Sequence, residues 1–317
     1  MFEKILELIE KYPRIIIHRH KNPDGDALGC QIGLKHMLRD THPDKEIFVV
    51  GDMTPRYAFM ADAPMDEIPD ETYEGALAIV LDTSAKSLIS DERYATATAT
   101  ARMDHHIFVE EICEAEVTDT SFESCCGLVT ALAIEGNLTV SPVAAKALYT
   151  GMITDSGRFR YDSTTAQTFR MAAFLMERRF ETGDIYRNLY ADELFFIQLR
   201  AKITLKIQTT PHRLAYVYNT ADEVAEYGAD TFTISRGMVN VMSEIRGIDT
   251  WVNFTETEGG VLCEIRSNKY NINPIAVKYG GGGHQKASGC TLKDREEAMS
   301  LLADLNALSL SEVEAHA

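Results

Sequence analysis

Apolar and polar positions along this chain follow two different rhythms. Phe2, Ile5, Leu6 and Ile9 recur every three to four residues and predict a helix, after which Ile15, Ile16 and Ile17 form an unbroken apolar run. Such a run suits a strand buried on both faces. Leu28, Ile32, Leu34 and Leu38 predict the next helix. Strands are predicted at 47–50, 77–81 and around 101–103, and helices at about 124–135, 142–153 and 165–179 from their Ala, Leu and Met content. Strands separated by helical stretches imply crossover units and a mainly parallel sheet.

Beyond residue 180 the rhythm changes. Residues 181–206 keep helical spacing and exposed charge without glycine or proline richness, which predicts a stiff helical connector. Residues 214–218, 250–255 and 261–266 read as strands, the last two joined by a polar Glu-Thr-Glu-Gly-Gly turn. The expected fold class is therefore α/β. A mainly parallel-sheet domain over 1–180 is followed by the connector over 181–206 and a smaller α/β domain with a mixed sheet over 207–317.

Composition narrows the picture. A chain of 317 residues exceeds what one hydrophobic core fills, which agrees with two domains. Its formal net charge of −17 opposes a broad footprint on long duplex nucleic acid, because such binding neutralises many phosphates with Lys and Arg. A short or mononucleotide substrate gripped locally escapes that objection. Cys30, Cys113, Cys125, Cys126, Cys263 and Cys290 form no spaced framework, and the N-terminus lacks the basic start and cleavage site of a signal peptide. No segment approaches the roughly 18 apolar residues of a membrane span. A cytoplasmic protein with reduced thiols and no membrane partner is expected.

The candidate chemistry sits where apolar runs end. His20, Asp24 and Asp26 follow the first strand, Asp82 the third, and Asp104 and His105 the next, while Asp155 closes a predicted helix. Ligands of open α/β sheets bind beyond the carboxyl ends of strands. Carboxylates and imidazoles suit hard divalent cations, and two such ions can generate hydroxide at neutral pH and hold a phosphoryl group. Asp82, alone at its strand end, is the natural bridge between them. Paired thiolates, the mark of a structural zinc site, are missing from this set. Further along, four glycines at 280–283 precede His284. Glycine runs are commonly linkers, but this one lies inside an ordered domain, where its amides can approach an anion closely.

Together these motifs resemble the DHH family of phosphoesterases. The matching residues are His-Lys-Asn-Pro-Asp-Gly-Asp at 20–26, Asp82, Asp104-His105-His106, Asp155 before Ser-Gly-Arg-Phe, and Gly-Gly-Gly-Gly-His at 280–284, so the resemblance covers nearly the whole chain. It implies two divalent ions, Mn²⁺ by analogy, with His20 and Asp24 on one, Asp26, His105 and Asp155 on the other, and Asp82 shared. It further implies that His106 and Arg158 face the phosphate and that Asp104 orients an imidazole. Arg266, Ser267, Gly281, Gly282, Gly283 and His284 would bind substrate. The members most similar in length and domain order hydrolyse very short RNA, the linear diadenylate pApA and 3′-phosphoadenosine 5′-phosphate (PAP) by attack of a metal-bridging hydroxide. A homodimer is compatible with this reading.

Two other readings compete. Manganese inorganic pyrophosphatases share the N-terminal constellation, but a basic Ser-Arg-Lys cluster is expected in their C-terminal half where this chain carries glycines. A nucleotide-sensing binding protein without turnover would not need every ligand. His18 falls two residues before His20, on the same side if the strand continues, yet the family pattern has no use for it. Trp251, Phe195 and Phe196 read as core residues rather than base-stacking platforms.

Overall fold

Five strands of the first half form one parallel sheet. They are β1 (Arg14–His18), β2 (Glu46–Val49), β3 (Leu77–Leu81), β4 (Ala99–Asp104) and β5 (Ala115–Thr118), ordered β2-β1-β3-β4-β5. The structure, a computed structural model, describes residues 1–61 and 63–315. β3 lies at the centre and is buried at every position, the condition under which an unbroken apolar run makes a stable strand. β5 escapes the pattern because it is a short edge strand with only Ala115 buried. The chain runs from β1 outward to β2, then returns to the other side of β1 as β3. Strand order therefore reverses between β1 and β3, and at such a switch point the loops beyond the strand ends part and open a crevice.

The helices of this half are α1 (Glu3–Lys11), α2 (Gly25–Thr41), α3 (Cys125–Glu135), α4 (Pro142–Asp155), α5 (Ala166–Met176) and α6 (Thr182–Tyr190). α1 to α5 share one core with Ile15, Ile17, Leu77, Ile79 and Leu81 on one sheet face. α2 begins where Asp24 caps it, its carboxylate accepting the N–H groups of Asp26 and Ala27. Gly29 and Gly33 let α2 lie against α4, since a Cβ on Gly29 would stand 2.7 Å from the Ala147 carbonyl oxygen and one on Gly33 2.6 Å from Leu148. That close approach fixes Asp26, on α2, relative to Asp155, at the end of α4.

The chain divides into two compact units, Met1–Ala191 and Asp192–Ala317. The helical stretch over 181–206 is not one stiff connector. Ala191 and Glu193 are both extended, which separates α6 from α7 (Leu194–Thr204). Each helix serves its own unit: Ile185 and Leu189 of α6 pack with Ile153, whereas Leu199 and Ile203 of α7 pack with Val217 and Trp251.

In the second unit six strands form a mixed sheet ordered β10-β11-β9-β8-β7-β6. They are β6 (Gln208–Thr209), β7 (Leu214–Asn219), β8 (Thr250–Thr257), β9 (Gly260–Ser267), β10 (Gly282–His284) and β11 (Ala287–Leu292), with helices α8 (Ala221–Tyr227), α9 (Asn273–Lys278) and α10 (Arg295–Ala315). β8 and β9 form the expected hairpin, and β7 pairs with β8 in parallel. The glycine run is not a free loop. Its last part is β10, paired antiparallel with β11. Among the described residues no helix is long and apolar enough to cross a membrane.

Candidate metal centre

β1 ends at His18, and the chain must turn sharply to bring His20 over the switch point. Arg19 organises that turn: it is fully buried and donates to Gln31 at 3.2 Å, to the His20 carbonyl at 2.9 Å and to the Asp52 carboxylate at 3.0 Å. Asp52 also accepts the Asn22 N–H at 3.1 Å, holding Asn22 at a φ of 53° that Asn tolerates. Arg19, Gln31 and Asp52 thus position the first ligand loop. Sequence reading missed all three, since nothing in a lone buried arginine's local sequence reveals its partners.

The break in β1 also decides the role of His18. It stays in the strand, shares the Ile16 face and packs against Tyr73 and Tyr94 at ring separations of 5.7 and 6.2 Å. Burial pushes it down to about 4, so it is neutral. It does not share a side with His20, because the strand does not continue.

Around the β1 and β3 ends the side chains converge. The His20 Nδ1–H donates to the Lys21 carbonyl at 2.9 Å, and its Nε2 lies 3.5 Å from Asp82 Oδ2 and 3.9 Å from Asp24 Oδ1. His105 is arranged alike: Nδ1 is 3.4 Å from the Phe122 carbonyl, and Nε2 is 3.5 Å from Asp82 Oδ1, 3.5 Å from Asp155 and 3.8 Å from Asp26. An imidazole anchored through Nδ1 on a carbonyl presents the Nε2 lone pair, as metal-binding histidines do. Asp82 stands between the rings with one oxygen toward each.

Three groups of donor atoms close enough to hold an ion result: His20, Asp24 and Asp82; Asp26, His105 and Asp155; and Asp82, His105 and His106. Cations fit this donor set on physical grounds. The Asp82 carboxylate is 2% exposed and its Oδ1 accepts no hydrogen bond, a costly state for a buried oxygen. N···O separations of 3.5 Å and more are too long for hydrogen bonds, yet suit two donors sharing one ion. His106, expected from the family resemblance to face the phosphate, belongs to the third group. Asp104 belongs to none: fully buried, it accepts the His106 Nδ1–H at 2.7 Å and lies 3.3 Å from Arg102.

The crowding of like charges shows in the titration of these groups. Burial, reinforced by the Asp24 charge, pushes Asp26 up to about 7, and burial with the Asp26 charge does the same for Asp155. Asp82 is raised by burial and by Asp26. Burial opposes charge on His20, but Asp24 and Asp82 outweigh it and hold the ring at about 10. The hydrogen bond to Asp104 raises His106 to about 9. With Asp26, Asp82 and Asp155 resisting ionisation while His20 and His106 hold protons, the centre is short of positive charge.

Arg158 leaves the end of α4 exposed, its guanidinium 4.6 Å over the Tyr190 ring. In the second unit, Arg266, Gly282, Gly283 and His284 line a cavity of about 550 Å³ together with Arg236 and Ser235, which sequence reading missed. Gly281 and Ser267 do not line it. The Ser267 hydroxyl accepts the Tyr270 N–H at 2.8 Å and donates to the Asp249 carbonyl at 3.0 Å, so it braces a turn. Gly281 is needed for close backbone passage: a Cβ there would stand 2.1 Å from the Gly289 carbonyl oxygen.

Comparison with known proteins agrees with this geometry. Residues 14–152 match the DHH family, N-terminal domain, and residues 222–309 the DHHA1 domain. The bifunctional oligoribonuclease and PAP phosphatase NrnA of Bacillus subtilis (strain 168) is 34% identical over 311 residues, covering 97% of this chain and 98% of the relative. A probable enzyme of the same name from Streptococcus mutans is 32% identical, covering 96% and 98%. Among solved structures, an exopolyphosphatase-related protein from Bacteroides fragilis superposes with a TM-score of 0.77 at 24% identity, over 96% of this chain and 95% of that one, and shares the fold.

Proposed function

Because this chain belongs to the DHH family of phosphoester hydrolases, with a DHHA1 domain in its second unit, we propose that it hydrolyses short oligoribonucleotides, pApA and PAP with two divalent ions, Mn²⁺ being the candidate metal. The observation that carries this reading is Asp82, which turns one carboxylate oxygen toward His20 and the other toward His105. His20, Asp24 and Asp82 would hold one ion, and Asp26, His105 and Asp155 with Asp82 the other. Such ions acidify water and neutralise phosphoryl oxygens. The names of the relatives at 34% and 32% identity support the substrate class.

The protein's own groups do the rest. Asp104 fixes the His106 ring through Nδ1, which leaves Nε2 as a donor to a phosphoryl oxygen, and a ring held at about 9 is protonated at neutral pH. Arg158 offers an exposed guanidinium beyond Asp155. Arg266 on β9, paired with Glu264 at 3.0 Å, and His284 on β10 line one cavity and would supply cation and donor for a nucleotide. The test is side-by-side turnover of a pentanucleotide, pApA, PAP, cyclic di-AMP and pyrophosphate with Mn²⁺ and after chelation. Metal-dependent cleavage of the first three is expected. Hydrolysis of pyrophosphate alone would overturn the reading.

A further inference from the structure

The backbone leaving α4 is strained just past the last candidate ligand. Gly157, Arg158 and Phe159 have φ values of 56°, 64° and 61°, three successive residues in the left-handed region. Side chains disfavour that region, so the surroundings must impose it. The Arg158 N–H donates to the Ile153 carbonyl at 2.8 Å and the Phe159 N–H to Ser156 Oγ at 2.9 Å, while the Phe159 ring packs against Tyr149 and Phe169 at 5.9 and 5.7 Å. What this local strain achieves is to leave Arg158 and Arg160 exposed beside one cavity.

Among the described residues that cavity, of about 160 Å³, is lined by Arg56, Tyr57, Arg158, Arg160, Tyr161 and Tyr190 and by no carboxylate. In a chain of net charge −17, such a concentration of guanidinium groups calls for an anion. Among the described residues no ion pair ties Arg56 or Arg158 to a carboxylate; instead Arg56 lies 5.6 Å over Tyr57 and Arg158 4.6 Å over Tyr190. A guanidinium laid on an aromatic face keeps its edge N–H groups for a phosphate fork. The volume accommodates a phosphate group.

Its position ties it to the candidate metal centre. Thr154 lines the cavity and immediately precedes Asp155, and it packs against Gly25, which separates Asp24 from Asp26. None of the residues in the three donor groups lines this cavity, so an anion in it is assigned as a neighbouring phosphate, and Arg158, which the family resemblance sets toward the reacting phosphate, is reassigned to that neighbour. We propose that Arg56 and Arg158, flanked by Tyr57 and Tyr190, form a second phosphate subsite that takes a non-reacting phosphate of the substrate. The proposal rests on the phosphoesterase reading above and adds where a neighbouring phosphate is held.

Arg56→Ala tests it, because Arg56 is exposed and lies outside the three donor groups. On dinucleotides with Mn²⁺, kcat/KM should fall at least tenfold, through KM, on pApA or on the 3′-phosphorylated ApAp, whichever carries its extra phosphate on the correct side. On ApA, which has only the scissile phosphate, the loss should stay within twofold, and Arg56→Lys should recover most of the efficiency. Equal loss on all three substrates, or none on any, would overturn the subsite. Calorimetry of PAP against AMP reads it without turnover: Arg56→Ala should erase the tighter binding of the bisphosphate. Wild-type protein that binds PAP more tightly than AMP but cleaves nothing would sink the hydrolase reading and spare the subsite. Unchanged PAP preference in the variant would sink the subsite and spare the hydrolase.

Discussion

The Asp26 carboxylate accepts the backbone N–H groups of Cys125 and Cys126, at 2.7 and 2.9 Å, and so joins the first turn of α2 to the first turn of α3. One side chain therefore caps a helix and points at His105, 3.8 Å away. The cysteines hold the carboxylate through their amides, the Cys126 thiol also reaches the Asp26 carbonyl at 3.5 Å, and burial raises both thiols well above their ordinary value, which keeps them protonated.

This double role separates two otherwise similar substitutions. Asp26→Asn sets an amide NH₂ against one of two N–H donors, whereas Asp155→Asn disturbs no backbone amide. Both should lose metal-dependent activity, but Asp26→Asn should cost about 2 kcal/mol more in stability, the worth of a charged hydrogen bond, or roughly 5 °C in Tm. Thermal unfolding of the chelated proteins checks this; equal melting would mean that the cap contributes nothing.

Asp82 calls for a particular substitution. Its φ of 50° is tolerated by Asp and Asn and strained for Ala, so Asp82→Asn removes the charge without disturbing the turn. Turnover should fall by about a thousandfold, as several kcal/mol of charge stabilisation are lost. Chelated Asp82→Asn should melt no lower than the parent, because a crowded buried charge is gone. Activity within tenfold of the parent would refute the bridging assignment.

The pKa shifts predict how stability follows pH without metal. Asp26 and Asp155, raised to about 7, cost nothing below the ordinary carboxylate range and progressively destabilise the fold as pH climbs from about 4 to 7. His20 and His106, raised to about 10 and 9, stabilise fully below about 6.5 and lose that contribution as pH rises through those values. Both signs agree. Buried His18, held at about 4, has the opposite sign and adds stability as pH rises to about 6.5, so the chelated protein should melt progressively lower from about pH 6.5 to 9, and Mn²⁺ should flatten the slope while releasing protons on binding. A Tm that rises over this range would refute the assignment.

The second unit offers a cleaner separation of binding from metal. His284 lies on β10 at its cavity, so His284→Ala should raise KM for nucleotides about tenfold with kcat little changed, the pattern of binding shared by ground and transition states. Bound Mn²⁺, measured by elemental analysis, should stay at the parent level. Metal loss in this variant would move the glycine strand into the metal centre.

What the sequence made legible was local. The Ile15–Ile17 and 77–81 runs announced strands, and Asp24, Asp26 and Asp82 announced themselves by following them, because switch-point chemistry clusters at strand ends. What stayed hidden depends on partners far along the chain. Arg19 needs Asp52, Asp26 needs the amides at 125 and 126, and Arg56 meets Arg158 only once α4 and its left-handed exit are built. Ser267 misled for the complementary reason, since its motif context suggested a ligand contact while its hydroxyl was already engaged in a turn.

Substrate length gives the last test. With 48 acidic against 31 basic residues, each phosphate added beyond the candidate sites meets a surface of the same sign, and repulsion grows with the strand. A two- to five-nucleotide substrate can satisfy the candidate metal ligands and Arg158 without that cost. Efficiency should therefore decline as RNA lengthens beyond about five nucleotides, and the decline should shrink between 20 mM and about 200 mM salt, where screening shortens to below about 10 Å. Comparable kcat/KM on a 5-mer and a 24-mer at low salt would instead point to a basic track along which a long strand can run.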